Sequence, residues 1–273
     1  MPITTLRNLL GACHPLPSAA VTIGTGLFAV AAGHRGTRLA IVVLAVLAGQ
    51  LSIGWANDWL DAPRDRAVGR TDKPVATGVL AERTVMAAAL TAAAVTTGLS
   101  LWLGLLPGLL HVTAVTAGWL YNHPLKTTVA SVIPYLVGFG LLPGFVVTAL
   151  PGQPVPPWWL LAAAGLLGAG AHFANALPDL AEDARTGVRG LPQRAGPAAS
   201  RGLTVVLLLA AGAVLVFGPP GAPSWGGVLI LAGSVFALTT ASLTGHRYGE
   251  RALFRVVIGV ALADVALLMA SPL

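Results

Sequence analysis

The sequence predicts an all-α fold, a polytopic membrane bundle of nine transmembrane helices around a central cavity, and three observations carry that prediction. Of 273 residues, 55% are hydrophobic and only 10% charged, with a mean hydropathy of +0.79; a soluble domain would carry roughly a quarter charged residues. Nine apolar segments are each close to the ~20 residues that cross ~30 Å of hydrocarbon. When those segments are threaded alternately through a bilayer, the basic residues fall almost entirely on one side.

Taken in order, the first span, 16–32, follows "CHPLP", and the second, 39–58, leads directly into the most polar run of the chain. Spans three and four, 84–104 and 106–122, end at the turn "YNHPLK". The fifth, 129–150, contains "YLVGFGLLPGF" and is followed by the uncharged loop "LPGQPVPPWW". The sixth, 157–178, carries the small-residue run "AGLLGAGAHFANAL", suited to close helix contact in lipid. Spans seven to nine lie at 202–218, 224–244 and 252–270, the first two separated by "GPPGAPSW". Helices are required because open strand edges cannot be satisfied in hydrocarbon.

This threading places Arg7, Arg64, Arg66, Arg70, Lys73, Arg83, Lys126, Arg185, Arg189, Arg194, Arg201, Arg247, Arg251 and Arg255 on one side, leaving only Arg35 and Arg38 on the other. Positive residues stay inside, so the N-terminus is expected in the cytoplasm and the C-terminus outside a cytoplasmic (inner) membrane. The net charge of +6 therefore reports topology, and a nucleic-acid partner is excluded. Nine of ten acidic residues share the cytoplasmic side: Asp58, Asp61, Asp65, Asp72, Glu82, Asp179, Glu182, Asp183 and Glu250. Asp264 alone sits within a span, a functional candidate by position. The one cysteine, Cys13, rules out a disulfide framework or a Cys-based metal cluster and reads as an ordinary thiol.

The polar run "NDWLDAPRDRAVGRTDKP" sets Asn57, Asp61 and Asp65 four apart, and Asn175, Asp179 and Asp183 repeat that spacing where the sixth span leaves the membrane. The repetition predicts an internal duplication in a single domain, 1–273: a first half of about 1–128, a second of about 129–250, and a ninth helix at about 252–270. Residues four apart share one helical face, ~6 Å further along the axis at each step. Carboxylates in such a row repel, so two facing rows call for bound cations. An oxygen-only donor set suits Mg²⁺, which takes one or two carboxylates and completes its shell with water and phosphate oxygens. The neighbouring Arg66, Arg70 and Lys73 then read as neutralising a diphosphate.

These motifs resemble the UbiA superfamily of intramembrane prenyltransferases. "NDWLDAPRDRAVGRTDKP" is similar to its first Asp-rich motif, residues 175–183 followed by "TGVRGLP" to its second, and "YNHPLK" to its Y-x-x-P-L-K turn. The resemblance implies two Mg²⁺ ions and an isoprenyl diphosphate in a cavity capped by cytoplasmic loops. It implies that Asn57, Asp61 and Asp65 hold one ion and Asp179 and Asp183 the other, with Asn175 in support. Arg66, Lys73, Tyr121 and Lys126 would contact the diphosphate, while Asp58 matches the motif at a neighbouring angle that does not favour a direct metal role. Family members often carry Arg-Pro near the start of the first helix; His14-Pro15 stands there in this chain, and His14 can still donate to a phosphate.

The function implied is prenyl transfer to an aromatic or other electron-rich acceptor, with cyclisation of the same diphosphate to a terpene as the alternative and a non-enzymatic transporter as a distant rival. A transporter predicts broken midplane segments in both halves, and span one has no counterpart of "YLVGFGLLPGF". The CDP-alcohol phosphotransferases need a D-G-x-x-A-R segment that "DAPRDRAVGR" does not supply. Trp55, Trp59, Trp119 and Phe173 are candidates to cushion a cation, or else interfacial aromatics. Gln50 and His172 share the motif faces and are candidates to reach the cavity; the favoured reading of each is a buried polar residue satisfied by a neighbouring helix. His111 lies deeper, with no partner evident from the sequence.

Overall fold

The computed structural model describes residues 3–180, 183, 187–248 and 250–270, without side chains for 3–6, 242–248 and 250–254. Helices occupy all nine predicted segments, and the described residues contain no strand. Preceding them is a short helix that the span pattern does not indicate, α1 (Ile3–Ala12). The others are α2 (Pro15–Ala31), α3 (Gly36–Ala67), α4 (Glu82–Trp102), α5 (Leu105–Asn122), α6 (Ile133–Thr148), α7 (Trp158–Ala176), α8 (Leu191–Phe217), α9 (Trp225–Tyr248) and α10 (Glu250–Ala270). Five stretches, Gly36–Ala67, Glu82–Trp102, Val129–Thr148, Trp158–Asp179 and Leu191–Phe217, are long and apolar enough to cross a membrane. Pro15–Ala31 and Trp225–Ala241 are shorter apolar helices.

The helices form a ring. α2 packs on α3 and α6, α3 on α4 and α5, α5 on α6, α6 on α7 and α7 on α8; α10 returns to touch α2 as well as α7, α8 and α9. Where α6 meets α7 the side chains must be small: a Cβ on Gly168 would stand 2.6 Å from both the Tyr135 carbonyl oxygen and Phe139 Cβ. The core that fills the half of the ring away from the acidic rows includes Phe28, Val42, Val46, Phe145, Val146 and Leu160. The end of this core beside the 32–36 turn is tied by side chains that cap carbonyls: Arg38 donates to Ala149 O at 2.7 Å and His34 Nε2 to Val146 O at 2.8 Å.

The opposite end carries the chemistry. α3 runs nine residues beyond the predicted span, so the whole first Asp row stands on one continuous helix. α1 lies across it, burying Leu9 and Ala12 with Ala62, Val75, Leu80 and Val85 while Trp55 and Trp59 pack alongside. Val75 and Leu80 anchor the 68–81 loop in that cluster, which folds Lys73 back over the end of α3. α8 begins eleven residues before its predicted span and breaks at Gly196, whose φ of 80° precedes Pro197. Glu182 and Arg185, part of the predicted charge pattern, lie outside the described residues.

Candidate active site

Asn57, Asp61 and Asp65 line one wall of a cavity of ≈ 540 Å³ that opens among the ends of α2, α3, α5, α6 and α7. Asp61 and Asp65 are 8% and 3% exposed, burial that ionised carboxylates accept only with compensating charge. Lys126 forms an ion pair with Asp61, and Arg64 Nη2 lies 3.1 Å from Asp61 Oδ2 and 3.5 Å from Asp65 Oδ1. Asn57 donates to Asn122 Oδ1 at 3.2 Å, and Asn122 is itself anchored by a 2.9 Å bond to the Ile53 carbonyl.

Asp58 does not line this wall and acts on the residues beside it. It is 2% exposed, with Oδ1 bound to Lys73 Nζ and 3.2 Å from His14 Nε2. His14 Nε2 also lies 3.1 Å from both Asn57 Oδ1 and Lys73 Nζ. His14 reaches this position from a left-handed backbone conformation, φ 52° and ψ 67°, between α1 and α2. A non-glycine residue in that region carries strain that its surroundings must hold. The elbow is held against α3 at Gly54, where a Cβ would overlap the Cys13 carbonyl. Burial pushes the Cys13 thiol above its ordinary pKa, so it stays a protonated thiol.

On the facing wall, Asn175, Asp179 and Asp183 line the same cavity. The local structure differs from the expected helical stripe. α7 ends at Ala176 and a 3₁₀ turn, Leu177–Asp179, follows, because Pro178 has no N–H for the helical ladder. Asp183 Oδ2 accepts from Gln193 Nε2 at 2.7 Å. Ser131 Oγ joins the wall together, 3.0 Å from His172 Nε2 and accepting from Leu191 N at 2.9 Å. Gly190 lets this segment reach the Lys126 turn: its Cβ would stand 2.5 Å from Lys126 O.

The cavity brings together His14, Asn57, Asp61, Asp65, Arg70, Lys73, Tyr121, Lys126, Asn175, Asp179 and Asp183. Arg66 is the predicted site residue it does not include. Arg66 stands one position past Asp65, about 100° around the helix, and pairs with Glu82 outside the cavity. Arg64, three residues from Asp61 on the same face, is the arginine of this stretch that lines the cavity beside the acids; spacing alone could have found it. Arg70 lines the mouth and holds Asp72 through two bonds of 2.8 and 2.7 Å. That fork keeps the Asp72 carboxyl at about 2, below the ordinary carboxylate value.

Of the two readings of the aromatics, cation cushioning in the cavity is the one the lining corrects. Trp55 donates to Leu9 O at 2.8 Å and Trp119 to Ser52 Oγ at 2.9 Å; neither they nor Trp59 and Phe173 line the cavity. The aromatic lining is Tyr121, Tyr135 and Phe139, with Tyr121 and Tyr135 edge to face at 5.0 Å between centroids. Gln50 and His172 do reach the cavity. His111 does too, and its partner is Ser100, 2.7 Å from Nδ1. Asp264 is buried away from the cavity, against Gly212.

Comparison with known proteins decides the family. Residues 19–267 match the model of the UbiA prenyltransferase family. The chain belongs to the UbiA prenyltransferase family. A relative named digeranylgeranylglyceryl phosphate synthase, from Methanopyrus kandleri, is 30% identical over 212 residues, 75% of this chain and 76% of that protein. Among solved structures, the fold resembles a UbiA homolog from Archaeoglobus fulgidus bound to DMAPP and Mg²⁺, with a TM-score of 0.73, 15% identity, and 96% and 98% of the two chains covered. A UbiA homolog from Aeropyrum pernix gives a TM-score of 0.69 at 18% identity, covering 92% and 98%. The chain is thus a multi-pass membrane protein with the UbiA helical bundle.

The family implies a divalent metal, and the donor set can be weighed against it. Among the described residues, no three His, Cys, Asp or Glu side chains cluster closely enough to form a metal group by themselves. Mg²⁺ does not require such a cluster, since it keeps waters and phosphate oxygens beside one or two carboxylates. The UbiA cavity of this chain is lined by oxygen donors from both acidic rows, together with Arg64, Arg70, Lys73 and Lys126. The residues fit the ion.

Proposed function

We propose that this protein is a Mg²⁺-dependent intramembrane enzyme that ionises an isoprenyl diphosphate and transfers the prenyl group to an electron-rich acceptor. The observation that carries this reading is that both acidic rows, carried by separate segments of the chain, line one cavity that apolar residues also line. Asn57, Asp61 and Asp65 would hold one ion, and Asp179 and Asp183, supported by Asn175, a second. When bound, the ions supply Lewis-acid stabilisation of the departing diphosphate.

The chain's own residues do the rest. Lys73, Arg64, Arg70, Lys126 and His14 surround the mouth and offset the charge that builds on the leaving oxygens. The allylic C–O bond breaks with its electron pair going to diphosphate, and the allyl cation forms beside Tyr121, Tyr135 and Phe139, whose ring faces attract positive charge. Ile53, Ala114, Val115 and Leu142 keep water from it. An acceptor π-bond or lone pair then forms the new bond and releases a proton. The Methanopyrus relative, named for a glyceryl phosphate product, supports acceptors beyond aromatics. With the mouth at the basic end of the bundle, the site faces the cytoplasm and the N-terminus lies on that side.

The aromatic cluster directly beneath the acids favours a second reading, capture of the cation by the chain's own alkenes to give a cyclic terpene. One assay separates the two. Membranes or purified protein receive Mg²⁺ and geranyl, farnesyl or geranylgeranyl diphosphate, with and without an aromatic or glyceryl acceptor. Transfer predicts consumption only with acceptor, cyclisation a new hydrocarbon or alcohol without it, and both predict loss in Asp61→Ala and Asp179→Ala. Turnover that survives complete chelation of divalent ions would sink either reading.

A further inference from the structure

We propose that Asn122, an unspecified position of the Y-x-x-P-L-K turn, is a positioning residue for the first acidic row: it fixes the Asn57 amide with its oxygen toward His14 and free to take a divalent ion. The inference rests on the Mg²⁺ and diphosphate reading of the cavity, which Asn57 and Asn122 both line.

The Ile53 carbonyl sets the sense of a chain of hydrogen bonds, because it can only accept. The end of the Asn122 amide that lies 2.9 Å from it is therefore the nitrogen. Asn122 Oδ1 is left to accept, and it takes a hydrogen from Asn57 Nδ2 at 3.2 Å. Asn57 must then present Oδ1 on its other side, where His14 Nε2 lies 3.1 Å away. Reversing either amide, or both, sets oxygen against oxygen. His14 Nε2 carries the hydrogen for the same reason, since Asn57 Oδ1 and Asp58 Oδ1, 3.2 Å from it, both accept. Lys73 Nζ, 3.1 Å from that nitrogen, gives a hydrogen to Asp58 Oδ1 instead. An amide oxygen has two lone pairs, so the bond from His14 leaves one for an ion.

Asn122 can hold this sense because its own place is rigid. It is 3% exposed at the end of α5, where an unpaired amide would be costly. One turn earlier α5 touches α3 at the anchoring residue itself: a Cβ on Gly118 would stand 2.5 Å from Ile53 Cδ1. Beside it, Trp119 Nε1 donates to Ser52 Oγ at 2.9 Å. The register then repeats along the row. Asn57–Asn122 and Asp61–Lys126 each join residues 65 apart in the sequence, so Asn122 meets the amide of the row as Lys126 meets its first carboxylate. Lys126 supplies charge, and Asn122 supplies orientation. Outer partners of metal-binding groups set metal affinity by about tenfold or more.

The test uses the full chain in detergent with geranyl thiolodiphosphate, a probe that resists ionisation, and reads the Mg²⁺ concentration at half-maximal probe binding. Asn122→Leu, close in volume but without hydrogen-bonding atoms, should raise that midpoint at least about tenfold. Asn122→Ala removes the same amide, so a folding failure of one variant leaves the other to decide. An Asn57→Asp background separates orientation from packing, because a carboxylate has two equivalent oxygens and no end to select. There Asn122→Leu or Asn122→Ala should move the midpoint by less than about threefold relative to Asn57→Asp alone. An unmoved midpoint in both single variants overturns the proposal. So does a loss in the Asn57→Asp background as large as in the unmodified protein, which marks a residue that only supports packing. Probe binding that needs no divalent ion in the unmodified protein, or no probe binding at all, removes instead the Mg²⁺ and diphosphate reading on which the inference stands.

Discussion

Asp58 shows how much one residue at the mouth can do without lining the cavity. Its carboxylate fixes Lys73 and His14, and its Oδ2 has no hydrogen-bond partner among the described residues. Replacing it by Asn removes the charge that Lys73, a largely enclosed ammonium, relies on. Asp58→Asn should lower unfolding stability by about 2 kcal/mol, the scale of a hydrogen bond to a charged group. It should also raise KM for the diphosphate more than it lowers kcat; a melting curve in detergent and steady-state kinetics check both. Asp72 acts more weakly, through Arg70. A carboxyl held at about 2 contributes stability that is full above its ordinary value near 3.8 and is lost as pH falls through about 2. The pair is mostly exposed, so Asp72→Asn should leave stability nearly unchanged. The looser Arg70 should weaken diphosphate binding a few-fold, measurable by pyrophosphate titration. At this scale the sequence shows the acids plainly, because their spacing is helical, and misplaces Arg66, because one position rotates a side chain off the face.

At the scale of elements, the elbow between α1 and α2 depends on a single glycine of α3. Gly54→Ala must push the Cys13 carbonyl away and carry His14 with it. Loss of most activity with a lowered melting temperature is expected. Gly24→Ala on α2, where nothing stands within 4 Å, is the matched control and should be neutral or slightly stabilising. An unaffected Gly54→Ala enzyme would mean that the elbow does not position the site. α1 and the start of α8 were invisible to a reading based on long apolar runs. α1 is ten residues with one buried edge, and α8 begins among Pro192, Gly196 and Pro197, residues that signal loops. The second Asp row was legible as spacing but not as backbone, since Pro178 turns its helix into a 3₁₀ step while the side chains still meet the cavity.

For the whole molecule, the separation of charges makes a sidedness prediction that the single cysteine renders clean. Cys13 is 2% exposed and should resist impermeant maleimides, giving a low background. Val155→Cys, 88% exposed at the uncharged end, should label from outside intact cells; Asp72→Cys should label only after the membrane is opened. The reverse pattern would invert the orientation. Chelation offers a second global test. The packed core lies in the half of the ring away from the acidic rows, so stripping divalent ions should abolish turnover while leaving the melting temperature within a few degrees, and Mg²⁺ should restore activity.

The sequence by itself determined the membrane-embedded helical bundle, the end that carries the charge, and the two oxygen rows with their lysines. These follow from hydropathy, basic-residue bias and helical period, all local properties of the chain. Which cations neutralise which acids and which aromatics face the cavity were decided only by tertiary structure. Each depends on how far one helix is turned toward another and on glycines such as Gly54 and Gly168 that set how closely two helices approach. Rotation and approach come from packing between distant segments, and no local pattern encodes them.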